Sequence, residues 1–332
     1  MDIPVTDKTT SLSEFQCIKQ LGIVVVYLVN KDDGGLLDLH LEKIEEHTHI
    51  PYTIYASTSR LLPHFIARLE NHSNIKLCEY PATDLRGFKE HAYYLDRLVQ
   101  SAIDDGVSHV ALLNVDSFPI RTGWAEIMAE HLSDSCLVAA VKRVENLDNK
   151  PHPCGILLHR DFIVKYNARI NLTDDELMSP HCQQYLKETS VISDTGAGYG
   201  YKLYAEGLSW YPLLRSNKAQ DHYIISGIYG DLIYHLGGAA RGKKIHLPER
   251  LQMESRMSNP LIRRAYEIVR FIRRMVPDRA QDRFSKYASY LLFPSAQKSL
   301  NASEDAYAQA RKQLLESPDS YIQYLRTGCR SV

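Results

Sequence analysis

Val107-Ser-His-Val-Ala-Leu-Leu-Asn-Val-Asp-Ser-Phe-Pro119 reads as an apolar strand running straight into a polar turn. The run Val107 to Leu113 is short and closes on four consecutive apolar residues, Val110 to Leu113, as expected of a strand covered on both faces in a parallel sheet. A strand that ends in Asn114-x-Asp116 delivers side-chain oxygens to the rim of that sheet. Hard cations such as Mg²⁺ and Mn²⁺ favour carboxylate and carbonyl oxygens and keep open positions for a substrate's phosphates. The plainer alternative is that Asp116 caps a helix following Pro119, a common role for aspartate.

Outward from this stretch, strand and helix alternate. Gly22-Ile-Val-Val-Val-Tyr-Leu-Val29 predicts a first buried strand, and Leu37, Leu41 and Ile44 mark a helix face after it. Tyr52 to Ala56 predicts a second strand, followed by a helix carrying Leu61, Leu62, Phe65, Ile66 and Leu69, and Ile75 to Tyr80 a third. Phe88, Ala92, Leu95, Val99 and Ala102 recur at helical spacing, and Gly106 stops that helix. A helix from Trp124 to Leu132 leads to a strand at Leu137 to Val141. The alternation predicts an α/β domain with a mainly parallel, Rossmann-type sheet flanked by helices. Ligands bind such sheets beyond the carboxyl ends of the strands, which places Asn30 and Asp116 on one rim.

Beyond Val141 the pattern loosens. Pro151 to Gly155 reads as a turn before a strand at Ile156 to His159 and a helix from Asp161. Residues 172–200 read as loop-rich, closing on the flexible stretch Ser193-Asp-Thr-Gly-Ala-Gly-Tyr-Gly200. Another strand is expected near Tyr223 to Ile228, and from about Asn259 the chain reads as helical. The expected division is a polar leader over 1–20, a catalytic domain over 21–255 and a helical C-terminal extension over 256–332.

Composition narrows the function classes. Hydrophobic content of 44% and charged content of 24% are those of an ordinary globular chain. A net charge of −1 lacks the basic excess that neutralises phosphates on nucleic acid. The six cysteines include no C-x-x-C pair, so neither a zinc ribbon nor a redox dithiol is indicated, and scattered thiols fit a reducing compartment. The start of the chain lacks the charged-then-apolar pattern of a signal peptide, and no apolar run reaches the roughly 18 residues of a membrane span. A cytoplasmic location is therefore expected. Residues 261–276 form a basic amphipathic pattern that suits either the inner face of an anionic membrane or packing with solvated arginines.

Three segments carry a family resemblance. Leu112 to Trp124 resembles the Asp-x-Asp region of GT-A-fold glycosyltransferases, in the variant that keeps only the second acidic position. His91-Ala-Tyr-Tyr-Leu-Asp96 resembles the histidine-containing helix that precedes it, and Gly230-Asp-Leu-Ile-Tyr-His235 the C-terminal histidine that completes the metal site. The resemblance spans about residues 20–245 and implies transfer of a sugar from a GDP- or UDP-linked donor to a hydroxyl acceptor, in glycan or glycoside synthesis. It implies Mn²⁺ or Mg²⁺ on Asp116 and His235, with Asn114, where the family has an acid, as a helper. Tyr27, Asn30 and His91 would lie near the nucleotide. A pyranose–furanose mutase acting on a nucleotide sugar, or a non-catalytic nucleotide-sugar-binding module, fits the same fold and site.

The remaining candidates each have two readings. Asp194 resembles the catalytic carboxylate in chain order, but a loop-capping aspartate fits equally; Asp231 is the substitute. His152, held between two prolines, faces the sugar or is structural. Arg86 and Lys89 meet phosphate near a helix N-terminus or form a solvated face. Arg241 and Lys243 neutralise a diphosphate or belong to a solvated basic loop.

Overall fold

The first strand, β1 (Leu21–Val26), has every side chain buried, because helices cover both of its faces. The computed structural model describes residues 13–28, 34–59, 61–85, 87–143, 149–189, 191, 193–219, 222, 224–237, 264, 268 and 294–329. Asn30, Arg86, Arg241 and Lys243 lie outside the described residues, as does the surface proposed for 261–276 apart from Arg264 and Ile268.

The main sheet adds β2 (Tyr52–Ser57), β3 (Ile75–Cys78), β4 (His109–Leu113), β6 (Cys136–Val141), β7 (His152–His159) and β8 (Ser209–Leu213) to β1. Its order is β3-β2-β1-β4-β7-β6-β8. All neighbours pair in parallel except those of β7, which runs against β4 and β6. A smaller antiparallel sheet is built from β5 (Ser117–Pro119), β10 (Ile233–His235) and β9 (Gly227–Tyr229). One face of the main sheet is covered by α1 (Gly34–His47), α2 (Pro63–Glu70) and α4 (Trp124–Ala129). The other is covered by α3 (Phe88–Asp104), α5 (Asp161–Val164) and α8 (Ala197–Ala205). The mainly parallel, helix-flanked sheet with a helical C-terminal piece is the α/β arrangement that the sequence predicts.

Two stretches differ from the sequence reading. Pro151 to Gly155 is no simple turn, because β7 begins at His152 and runs unbroken to His159. Proline lacks the N–H that a central strand donates, so Pro153 argued against a strand there. The register explains how it is tolerated: β6 pairs Ala140 with Ile156 and then jumps to Val141 opposite His152. Pro153 falls within this irregularity, and β4 pairs with β7 only from Ile156 onward, so no ladder bond is lost. Gly155 lies in the same irregularity, where an added Cβ would meet Val141 at 2.8 Å and Ile233 at 3.1 Å. Its missing side chain lets β10 pack directly onto β7.

Residues 172–200 hold three helices: α6 (Asp174–Met178), α7 (Pro180–Thr189) and α8. The first is started by a capping box between Thr173 and Glu176. The glycine-rich stretch that reads as flexible is the first turn of α8. Gly196 holds φ +94° there, and a Cβ would collide with the Pro151 carbonyl oxygen, so packing demands glycine. The edge strand β8, containing Pro212, escaped the sequence reading, and the strand expected at Tyr223 to Ile228 is the shorter β9.

The C-terminal helices α9 (Pro294–Glu316) and α10 (Pro318–Thr327) complete a third core. Ala310, Leu314, Tyr321, Ile322 and Leu325 pack with Leu36 and Leu39 of α1 and with Phe118 and Tyr234 of the small sheet. Lys43 of α1, almost fully buried, reaches Asp319 at 2.7 Å. Leu325 is 1% exposed. Leu325→Ala should therefore cost about 2–5 kcal/mol through lost transfer energy and a cavity, read as a lower urea midpoint. A loss below about 1 kcal/mol would show that α10 is not part of this core.

Candidate active site at the carboxyl rim of the sheet

The chain turns sharply where β4 ends. The Ser117 amide donates to the Asn114 carbonyl at 2.9 Å, and the Asn114 amide donates to Ser117 Oγ at 2.8 Å. This four-residue turn with asparagine in first position places Asp116 just before β5. Asp116 therefore caps no helix, since α4 starts at Trp124 behind Gly123. Two further bonds fix the segment. Leu236 donates its amide to the Asp116 carbonyl at 2.8 Å, and His40 of α1 donates Nδ1–H to the Ser117 carbonyl at 2.9 Å.

The small sheet brings His235 to this turn. Tyr229 to Leu232 forms a tight hairpin turn whose central residues, Gly230 and Asp231, both have positive φ. The returning strand pairs His235 opposite Ser117. His235 Nε2 consequently lies 3.6 Å from Asp116 Oδ1. The two side chains are 3% and 7% exposed. A carboxylate so enclosed is costly unless a positive charge or several donors face it. A distance of 3.6 Å is long for a direct hydrogen bond and suits two groups facing one cation. Asn114 Oδ1 is also buried and has no hydrogen-bond partner among the described residues. An oxygen acceptor without a donor, two residues before the carboxylate in the same turn, is of the kind that suits a divalent metal ion.

His152 stands on the same rim, where β7 begins, with its ring centroid 5.7 Å from that of His235. Its Nδ1 accepts a long hydrogen bond, 3.3 Å, from the Cys154 amide. The ligand atoms of His152, Cys154 and His235 all lie within 4.8 Å of one another. Asp194 approaches His152 indirectly. Gly196 docks on Pro151 and Pro153, the residues flanking His152, and Asp194 opens the same helix turn. The Asp194 carboxylate accepts the Thr195 amide at 2.8 Å, and its carbonyl accepts the Ala197 amide at 3.0 Å.

Other predicted residues take less direct places. Tyr27 is fully buried with its ring edge-on to His40 at 5.6 Å, so it forms floor behind the rim and no open surface. Burial raises its hydroxyl far above the ordinary tyrosine range. His91 sits half-buried in the first turn of α3. Lys89 reaches Asp174 of α6 at 3.1 Å. Asp231, the substitute candidate base, is at the hairpin tip in a two-point ion pair with Arg326 at 2.6 and 2.7 Å.

Two residues were missed. His40 lies among Leu36, Leu37, Leu41 and Ile44 on the buried face of α1, where it reads as core; burial lowers its pKa to about 4 and keeps it neutral. Cys154 reads as a lone thiol, although its i, i+2 spacing from His152 puts both on one face of a strand.

No protein-family model matches the sequence, and no curated protein matches it. Among solved structures, it is similar to the mannosyltransferase PcManGT from Pyrobaculum calidifontis, in complex with GDP-Man and Mn²⁺. That likeness has 12% identity and a TM-score of 0.41, and covers 93% of this chain and 85% of the other. A cytidylyltransferase from Leptospira borgpetersenii is similar at 9% identity and TM-score 0.39, over 64% of this chain and 82% of the other. A Drosophila galactosyltransferase 7 mutant, complexed with manganese, UDP-Gal and xylobiose, is similar at 12% identity and TM-score 0.34 over 67% and 72%. With TM-scores this low, these likenesses assign nothing to the site, whose chemistry is read from its own residues. No described helix is long and apolar enough to cross a membrane.

A positioning relay supports the His152 wall. Asp96 of α3 accepts the Ile170 amide at 2.9 Å, and the Ile170 carbonyl accepts the amides of Gly196 and Gly198 at 3.0 and 3.1 Å. Burial raises the Asp96 carboxyl to about 6, against an unfolded value of about 3.9. The folded chain thus holds more protons between those values, and this group's contribution to stability falls as pH rises through the window. Asp96→Asn keeps an oxygen for Ile170 without the charge. Its urea midpoint relative to wild type should rise from pH 4 to pH 7, and a flat difference would contradict the buried-acid account.

Proposed function

We propose that the chain is a metal-dependent glycosyltransferase that moves a sugar from a nucleoside-diphosphate sugar, GDP- or UDP-linked, to a hydroxyl acceptor. The observation that carries this reading is the buried Asp116–His235 pair, 3.6 Å apart, at the carboxyl rim of a helix-flanked parallel sheet. The three sequence segments resembling GT-A enzymes support it, since two of them supply this pair.

Asp116 and His235 would hold Mn²⁺ or Mg²⁺, with the Asn114 side-chain oxygen as a further acceptor. When bound, the ion supplies Lewis-acid stabilisation to the departing diphosphate. His40 keeps the Asp116 turn rigid through the Ser117 carbonyl and, being neutral, adds no competing charge. In an inverting transfer, Asp194 takes the proton of the attacking hydroxyl. In a retaining transfer it binds sugar hydroxyls instead. His152 faces the sugar from the wall that Gly196 supports, and His91, Arg86, Lys89, Asn30, Arg241 and Lys243 are the candidates for nucleotide contacts. The start of α3 lies toward this rim, because β3 runs parallel to β4 and ends there.

The test is thermal shift with GDP-, UDP-, dTDP- and CMP-linked sugars, with and without Mn²⁺, on wild type and Asp116→Ala. Binding to the native state alone raises stability by about 2.7 kcal/mol at a hundredfold excess over Kd. One nucleotide class should shift the wild-type melt only with metal, and Asp116→Ala should lose that shift. The shifting donor should then release nucleotide slowly, faster with a hydroxyl acceptor. Conversion into a new nucleotide sugar without release would identify a mutase instead. No shift from any donor at millimolar concentration with metal would sink the nucleotide-sugar reading.

A further inference from the structure

The rim carries a ligand set that sugar transfer does not call for. A hard-metal site for a diphosphate needs oxygen and imidazole ligands, and Asp116, Asn114 and His235 supply them. Cys154 and His152 are additional. Among the described residues, His152, Cys154 and His235 are the group of histidine, cysteine or acidic side chains whose ligand atoms converge within 4.8 Å. A buried cysteine alone is an ordinary small apolar residue, and Cys78 and Cys182, also buried, have no such company. What sets Cys154 apart is the pair of imidazoles around its sulfur.

We propose that His152, Cys154 and His235 form a three-ligand binding site for a borderline-soft divalent cation of the zinc type. The proposal stands on ligand chemistry and does not require the sugar-transfer reading. Two imidazole nitrogens and a thiolate make three protein ligands, the number a zinc site takes when its fourth tetrahedral position is left to water. With zinc–ligand bonds of about 2.0–2.3 Å, tetrahedral ligand atoms lie roughly 3.3–3.6 Å apart. The widest gap in the triad closes by roughly 1 Å, within reach of small side-chain rotations. The backbone favours the closure, because His152 and Cys154 share one face of β7 and Gly155 lets β10, carrying His235, pack against that strand.

The Cys154 thiol releases its proton to solvent as the cation binds, and each imidazole gives a lone pair. For His152 that is either Nδ1, now engaged in a long bond to the Cys154 amide, or Nε2 after a change of tautomer. Because His235 also serves the hard-metal reading, zinc and Mn²⁺ exclude one another, and zinc would displace Mn²⁺ by the Irving–Williams order.

Cobalt(II) tests this on the full-length chain, since it substitutes for zinc and reports its ligands optically. Titration should give a sulfur-to-cobalt charge-transfer band in the near ultraviolet, saturating at one equivalent and bleached by one equivalent of Zn²⁺. Cys154→Ser should lose the band and bind Zn²⁺ at least tenfold more weakly. Since Cys154 is buried and its variant risks misfolding, a variant-free measurement accompanies it. Saturating Zn²⁺ should slow alkylation of Cys154 in the wild-type chain at least tenfold, read by peptide mass spectrometry. No sulfur band at saturating cobalt, a band that persists in folded Cys154→Ser, or unchanged alkylation would each overturn the site. Nucleotide shifts with Mn²⁺ are scored separately: a cobalt–sulfur band without nucleotide binding leaves this site standing and removes the transferase reading, and the reverse result does the opposite.

Discussion

The antiparallel register that sets Ser117 opposite His235 is the constraint on which the rim depends. Strands of three residues are marginal by themselves, and a slip of one residue would turn His235 to the other face. The register is held from both ends. Leu236 bonds the Asp116 carbonyl and Ile120 bonds the Leu232 carbonyl, bracketing the pairing. At the far end of β10, the Gly230–Asp231 turn has the twist that hairpins favour, and Arg326 clamps Asp231 from α10. The C-terminal helices thus act on the site indirectly. They cover the small sheet with Leu314, Tyr321 and Leu325 and hold its hairpin.

The second wall of the rim rests on an antiparallel strand inserted among parallel ones. Running against its neighbours, β7 starts where they end, so its first residues, His152 and Cys154, lie at the ligand-binding edge. The register jump between Ala140 and Val141 admits Pro153 without breaking the ladder, and that proline in turn limits the freedom of its neighbour His152. Behind it, Asp96, Ile170 and Gly196 link α3 to the Pro151–Pro153 segment through hydrogen bonds and one close contact that only glycine permits.

Buried charge at the rim is managed in two ways. His40 is kept neutral by burial and serves as a donor to the Ser117 carbonyl. Asp116 and His235 face each other at a distance better suited to sharing a cation than to a direct bond. The side chains grade from oxygen at Asn114 and Asp116, through the imidazoles, to sulfur at Cys154.

Much of this was legible in the sequence. Strand-like runs alternating five times with helical faces specify a mainly parallel sheet, and the most apolar of them, such as Gly22 to Val29, lack the polar alternation of a half-exposed strand. The sequence also determined where the first of those strands' ends would gather, and so that Asp116 stands at the rim. It could not decide which distant residues meet there. That His235 reaches Asp116 depends on a three-residue register, and that Cys154 joins them depends on a strand whose proline and glycine read as a turn. Nor does the sequence show that Arg326 of α10 pairs with Asp231, or that His40 sets its Nδ1 on the Ser117 carbonyl. Local periodicity records which face of an element is buried; pairing between elements far apart in the chain is settled only when packing and hydrogen-bond registers are satisfied together, and that is where this site was made.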